Sequence, residues 1–187
     1  MPSIPIEVSA RHVHISEPDL MSLFGLSELT ADHNISQPQQ FAATQRVTIR
    51  GPKGEFKQVA IVGPCRPKTQ VELSMTDARY LGLDVPMSDS AALDQAAKIT
   101  IIGPQGELVR AAAIVPRRHL HLNPDQAAAL GLQDRQIVSV QITGPRAARL
   151  DQVMVRVHPD YDSALHLDTD EGNACGVKPG MTAAVIH

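Results

Sequence analysis

Eight histidines are spread unevenly through 187 residues. Four of them fall in two copies of one pattern: Arg11-His12-Val13-His14 returns as Arg118-His119-Leu120-His121. In a β-strand, side chains two apart share a face. His12 and His14 therefore project together, as do His119 and His121, while Val13 and Leu120 face the other way. Two imidazoles side by side make a half-site for a transition metal. A single His-x-His is as readily a pair of surface or hydrogen-bonded histidines. Two copies in matching contexts argue for ligands.

The residues after each copy make the contexts match. Ser16 precedes EPDLMSLFGL and Asn123 precedes PDQAAALGL. Ser and Asn are strong helix N-caps, Pro suits the first turn, and Gly stops a helix. The same grammar appears twice more. Glu72-Leu73-Ser74 leads into MTDARYLGL, and His166-Leu167-Asp168 leads into TDEGNACGV. In all four units a residue of metal-ligand type stands two positions before the cap: His14, Glu72, His121 and His166. Two residues earlier stand His12, Gln70, His119 and Ala164.

Six protein ligands exceed what one tetrahedral zinc takes, and they suit two. His119, His121, His166 and Glu72 would fill one ion. His12 and His14 would leave the other with open positions for substrate or water, as in a catalytic site. Imidazole with one carboxylate fits zinc, and the same donors also take cobalt, nickel or iron. Arg66, six residues before Glu72, carries a planar fork suited to phosphate or carboxylate, although a surface salt bridge is the ordinary role of an arginine. Lys53 lies at the tip of Gly-Pro-Lys-Gly. That run lacks the Gly-Lys-Ser/Thr ending and the helix of a phosphate loop, so it reads as a hairpin turn whose lysine is open to an anionic ligand. Asn173, in the fourth short helix, has an amide that could reach a ligand or stay on the helix surface. Arg11 and Arg118 alternate away from the histidines and are expected to be structural or rim residues. His33 is expected to be solvated, and His158 and His187 are given no role.

The elements that must hold these residues are short. Ile4 to Ser9 alternates as a first strand. A helix runs from about Pro18 to Phe24, and residues 26–40 read as a polar loop. Val47 to Arg50 and Phe56 to Val62 form a hairpin, repeated over residues 99–116 and more loosely over 138–157. Residues 84–97 look like a connector, and Thr182 to Ile186 is a last strand. Many short strands with brief helices at their ends indicate a mainly β chain: two small β-barrels capped by short α-helices. One barrel would take residues 1–25 and 117–187, the other 40–116. The length excludes a TIM barrel. A cupin-like site is disfavoured because Glu72 lies far from either His-x-His and the second copy is surplus.

Composition narrows the function. A net charge of −3 without basic runs argues against nucleic acid. No stretch is long and apolar enough to span a membrane. The N-terminal residues lack the pattern of a signal peptide. Two distant cysteines, Cys65 and Cys175, suit a reducing cytosol and small buried side chains.

The runs VSARHVHIS, SQPQQFAATQRVTIRGPKGEF, GPCRPKTQVELSMTDARYLG, RRHLHLNPDQAAALG and LHLDTDEGNACG together resemble the PduL-type phosphotransacylases, or phosphate propanoyltransferases. The likeness covers nearly the whole chain from Ile4. It implies two capped β-barrels, a dinuclear zinc site, and reversible acyl transfer between coenzyme A and inorganic phosphate. It implies that His12 and His14 hold the substrate-facing zinc, and that Glu72, His119, His121 and His166 hold the other. It further implies that Arg66 grips phosphate and that Val8, Ser9, Ala10, Lys53 and Asn173 contact coenzyme A. The partners expected are therefore acyl-CoA or CoA and phosphate or acyl phosphate, and a homo-oligomer is compatible with the sequence. Family members housed in bacterial microcompartments often carry a targeting extension. The sequence begins a few residues before the first strand, so a free cytosolic enzyme or a clipped chain is expected, with a bacterial microcompartment as the alternative location. Arg117 stands where small residues are common in the family, which bears on the rim and not on the ligands. The competing functions are a zinc-dependent thioester hydrolase and a non-catalytic metal-binding scaffold.

Overall fold

Alternation of apolar and polar side chains along short strands dictates a sheet with one buried face, and closing the sheet leaves that face inside a barrel. The computed structural model describes residues 3–90 and 92–186, so His187 lies outside the described residues. It is mainly β, with two closed six-stranded barrels and four short helices.

The chain divides into two units. The first joins the residues up to Ser9 with those from Arg117 onward. Its strands are β1 (Ser3–Ser9), β10 (His119–Leu122), β11 (Ile137–Ile142), β12 (Ala148–Val157), β13 (Ala164–Asp168) and β14 (Thr182–Ile186). They close in the order β1-β13-β10-β12-β11-β14. Helices α3 (Pro124–Leu130) and α4 (Thr169–Cys175) follow β10 and β13.

The second unit runs from Ala10 to Pro116. It contains β2 (His12–His14), β3 (Ala31–Asn34), β4 (Phe41–Arg50), β5 (Glu55–Gly63), β6 (Gln70–Glu72), β7 (Met87–Ser88), β8 (Ala97–Gly103) and β9 (Gly106–Pro116), with helices α1 (Glu17–Phe24) and α2 (Met75–Leu81). The ring is β4-β5-β2-β6-β9, closed by β8, which pairs with both β9 and β4. Residues 10–25, expected with the first barrel, thus belong here. The reason is hydrogen bonding: β2 lies between β5 and β6.

The two units repeat one plan. In each, two short ligand-bearing strands pair antiparallel, β2 with β6 and β10 with β13. Each of these strands leads into a capped helix and runs parallel to a longer neighbour. Val13, Val71 and Leu120 are fully buried in the barrel interiors, so the ring of core contacts fixes which face the histidines take. Each such side chain contributes about 1.5–3 kcal/mol by leaving water.

The four caps follow the sequence grammar. Ser16, Ser74, Asn123 and Asp168 each accept a hydrogen bond from the backbone three residues on. Gly25, Gly82, Gly131 and Gly176 close the helices in the left-handed region, where a side chain would be strained. The hairpin tips lean on helix ends: Lys53 N–H donates to Leu81 O and Gln105 N–H to Leu23 O, both at 3.0 Å.

Two local expectations are corrected. Residues 31–34, read as loop, form an exposed edge strand against β4. Their ladder is made by backbone groups, so no apolar alternation announces it. The strand expected from Val47 begins at Phe41, and a register irregularity between Ala42 and Arg46 masks its period. The connector at 84–97 also contains β7.

Candidate functional site

In the second unit, β2 and β6 set His12 opposite Glu72 and His14 opposite Gln70. The two imidazoles meet with Nε2 atoms 3.1 Å apart. Each Nδ1 faces a backbone carbonyl, His12 that of Ala10 at 2.9 Å and His14 that of Val62 at 3.1 Å. A carbonyl accepts, so Nδ1 carries the proton and both Nε2 lone pairs point at one place. Metal-ligating histidines are oriented in this way. The Glu72 carboxylate completes the group, with Oε2 3.6 Å from His12 Nε2 and Oε1 3.8 Å from His14 Nε2. Around a tetrahedral zinc at about 2.0–2.1 Å, neighbouring donors stand roughly 3.3 Å apart. These separations fit one ion with small adjustments.

Electrostatics keep the site ready for a cation. Burial holds the His14 imidazole well below its ordinary pKa, and the His12 ring and the Arg66 charge add to this. A neutral imidazole is the ligand form. Arg66 thus stands close enough to act on His14, and its Nη1 donates to Ser90 Oγ at 3.3 Å. Its backbone N–H donates to Ile15 O at 2.9 Å, pinning the loop that carries it.

The first unit builds a second group. His119 on β10 is in register with His166 on β13, and His121 lies two residues along β10. His119, His121 and His166 bring their ligand atoms within 4.8 Å of one another. His119 Nδ1 faces Arg117 O at 2.8 Å, which again leaves Nε2 as the donor to a metal. Burial lowers the pKa of His119 well below 6.5, with Arg156, His166 and His121 contributing. Burial, His166 and Arg156 take His121 down to about 2.

The sequence expectation joined Glu72 to His119, His121 and His166. Glu72 lies in the second unit, where its carboxylate also stands within 4.8 Å of the ligand atoms of His12 and His14. Strand register sets Glu72 directly opposite His12.

The remaining candidates lie apart by element. Val8 and Ser9 end β1, and the exposed Val8 packs where Gly172 of α4 leaves no room for a side chain. Asn173 is exposed on the same helix. Ala10 and Lys53 are exposed in the second unit, Lys53 at its hairpin tip. Arg11 and Arg118 are structural, as expected. Arg11 grips Asp77 at 2.8 Å and stacks over Phe56, and Arg118 grips Glu171 at 2.7 Å. Both acids are the third residue of a helix following the partner strand. Cys65 and Cys175 are free, half-buried and buried respectively, and burial raises both thiol pKa values.

Sequence reasoning missed three neighbours. Ser90 lies in a connector with no repeat to flag it. Tyr161, in the loop after β12, stacks on His121 with ring centroids 3.9 Å apart. Glu7 stands in register beside His166 at 3.7 Å, and its polar place in the alternation of β1 was its only signal. No described helix is long and apolar enough to cross a membrane.

Comparison with known proteins bears on the same residues. A family model described as phosphate propanoyltransferase matches residues 5–178. A phosphate propanoyltransferase of Thermotoga maritima is 44% identical over 189 positions, covering 100% of this chain and 90% of that protein. One of Clostridioides difficile is 41% identical over 185 positions, covering 98% and 88%. One of Rhodobacter capsulatus is 41% identical over 177 positions, covering 94% and 82%.

Proposed function

The chain belongs to the phosphate propanoyltransferase family and is an acyltransferase, and from that premise we propose that it moves a short acyl group, propanoyl or acetyl, reversibly between coenzyme A and inorganic phosphate. In this reading zinc ions are held at both histidine groups, one by His12 and His14 and the other by His119, His121 and His166, with the Glu72 carboxylate as the further protein ligand. The observation that carries it is the convergence in the second unit of two facing Nε2 atoms, one carboxylate and the Arg66 guanidinium on the same few residues.

A zinc ion held beside His12 and His14 would supply Lewis acidity to a thioester carbonyl. Arg66 binds phosphate through its fork, offsets part of its charge and aims one oxygen at the carbonyl carbon. That oxygen forms the new C–O bond and the C–S bond breaks. The electron pair leaves on sulfur as coenzyme A thiolate, and acyl phosphate is the other product. Val8, Ser9, Ala10, Lys53 and Asn173 contact coenzyme A, with the Lys53 ammonium suited to its phosphates.

Direct attack by phosphate is favoured over an acyl-enzyme. Burial makes both thiols poorer nucleophiles at neutral pH. The Ser90 hydroxyl donates to a carboxylate already bonded to an amide, not to a histidine base. Two measurements on the purified protein test the reading: metal content per chain, and thiol release from propanoyl-CoA with and without phosphate. The expected result is bound zinc and phosphate-dependent release with formation of acyl phosphate. Release at the same rate without phosphate would favour a hydrolase. Metal without any turnover would favour a scaffold. Exchange of labelled coenzyme A into acyl-CoA in the absence of phosphate would overturn direct attack.

A further inference from the structure

Gln70 occupies, in the second of the four repeats, the place that carries His12 in the first and His119 in the third. It is not a ligand type for zinc, yet it is 1% exposed, and a buried amide needs partners. Its Nε2 donates to Glu72 Oε1 at 2.6 Å and to Ser90 Oγ at 2.8 Å, which uses both amide hydrogens. The opposite amide orientation would set the Gln70 oxygen against a carboxylate, so the network fixes the assignment. Ser90 is equally committed. Its oxygen accepts from Gln70 and from Arg66 Nη1, and its hydrogen goes to Glu72 Oε1 at 3.3 Å. A hydroxyl has one donor and two acceptor positions, and all three are filled.

Glu72 is held by one oxygen as a result. Oε1 receives both hydrogen bonds and stands 3.8 Å from His14 Nε2, while Oε2 stands 3.6 Å from His12 Nε2. The same serine ties the guanidinium that binds the oxyanion to the carboxylate that binds the ion. We propose that Gln70 and Ser90 are positioning residues, Gln70 fixing the orientation of the Glu72 carboxylate as a ligand and Ser90 holding Arg66 in a fixed relation to it. This rests on the zinc and phosphate roles proposed above.

The test is titration of the metal-free protein with zinc against a chromophoric chelator, then with cobalt, whose visible absorption reports ligand geometry. Gln70→Met keeps the length of the side chain and removes both N–H groups. It is expected to weaken one of two zinc sites by about 10–100-fold and to shift the cobalt band, leaving the other site as in wild type. Ser90→Ala is expected to raise the phosphate KM more than it lowers kcat, and Ser90→Thr, which restores the hydroxyl, is expected to recover both. Wild-type zinc affinities and cobalt spectrum in Gln70→Met would overturn the role of Gln70. Equal defects in Ser90→Ala and Ser90→Thr would overturn that of Ser90. A urea midpoint checks that Gln70→Met folds, and if it does not, the serine pair decides the question. Zinc content in His12→Ala equal to that of wild type would overturn the zinc reading itself, a result distinct from either of these.

Discussion

Removing the Arg66 side chain separates the phosphate-binding role from a structural one. The guanidinium is half-buried, donates to Ser90 and acts on His14 through its charge. A hydrogen bond to a charged group contributes about 1.5–3 kcal/mol. At about 1.4 kcal/mol per tenfold, losing one such bond to phosphate raises the phosphate KM about 10- to 150-fold in Arg66→Ala. Metal content is expected to stay at the wild-type value, because the ligand set keeps His12, His14 and Glu72. Arg66→Lys keeps the charge without the fork and is expected to fall between the two. The assay is initial thiol release from propanoyl-CoA across a phosphate series, with metal per chain measured on the same samples. A phosphate KM within threefold of wild type would refute the reasoning, and so would loss of zinc in place of loss of phosphate affinity.

Other outcomes rest on the same geometry. His12→Ala removes one of two Nε2 atoms set 3.1 Å apart, so turnover should fall by more than about 100-fold while the metal-free protein melts within a few degrees of wild type. Similar losses in both would make His12 a folding residue. Asp19 is buried, which alone would raise its pKa, but hydrogen bonds from Arg110, Thr69 and Ser16 outweigh this and hold it below the usual carboxylate range. Its stabilising contribution is therefore present above about pH 4 and lost as pH falls through the lower folded value. Urea melts of Asp19→Asn should show a lower stability near neutrality and a shallower decline on acidification; a decline parallel to wild type would exclude Asp19 as its source. Leu120→Ala, at a fully buried site between His119 and His121, should cost about 2–5 kcal/mol in urea unfolding, and a loss under about 1 kcal/mol would contradict the inward direction of that side chain.

The candidate site was partly legible because some of its rules act over a few residues. Alternation along Arg11 to His14 told which side chains share a face, and Ser16 and Gly25 told where the helix begins and ends. Resemblance across several motifs then supplied an activity that no spacing of residues could supply. The edge strand at 31–34 escaped because backbone hydrogen bonds do not depend on side-chain type. Ser90 escaped for a related reason: a serine in a connector looks like any other until strands far along the chain bring Arg66, Gln70 and Glu72 around it.

The chain by itself determined four strand–cap–helix units, the inward and outward faces of each, and six residues of metal-ligand type. These depend on a two-residue side-chain period and on capping bonds that close within one turn. Only the tertiary structure decided that β2 pairs with β6, that Glu72 therefore stands beside His12, and that residues 10–25 join the central barrel. Strand pairing is a long-range choice made by the whole ring of hydrogen bonds and the core inside it, and a shift of one residue would have turned every ligand to the opposite face.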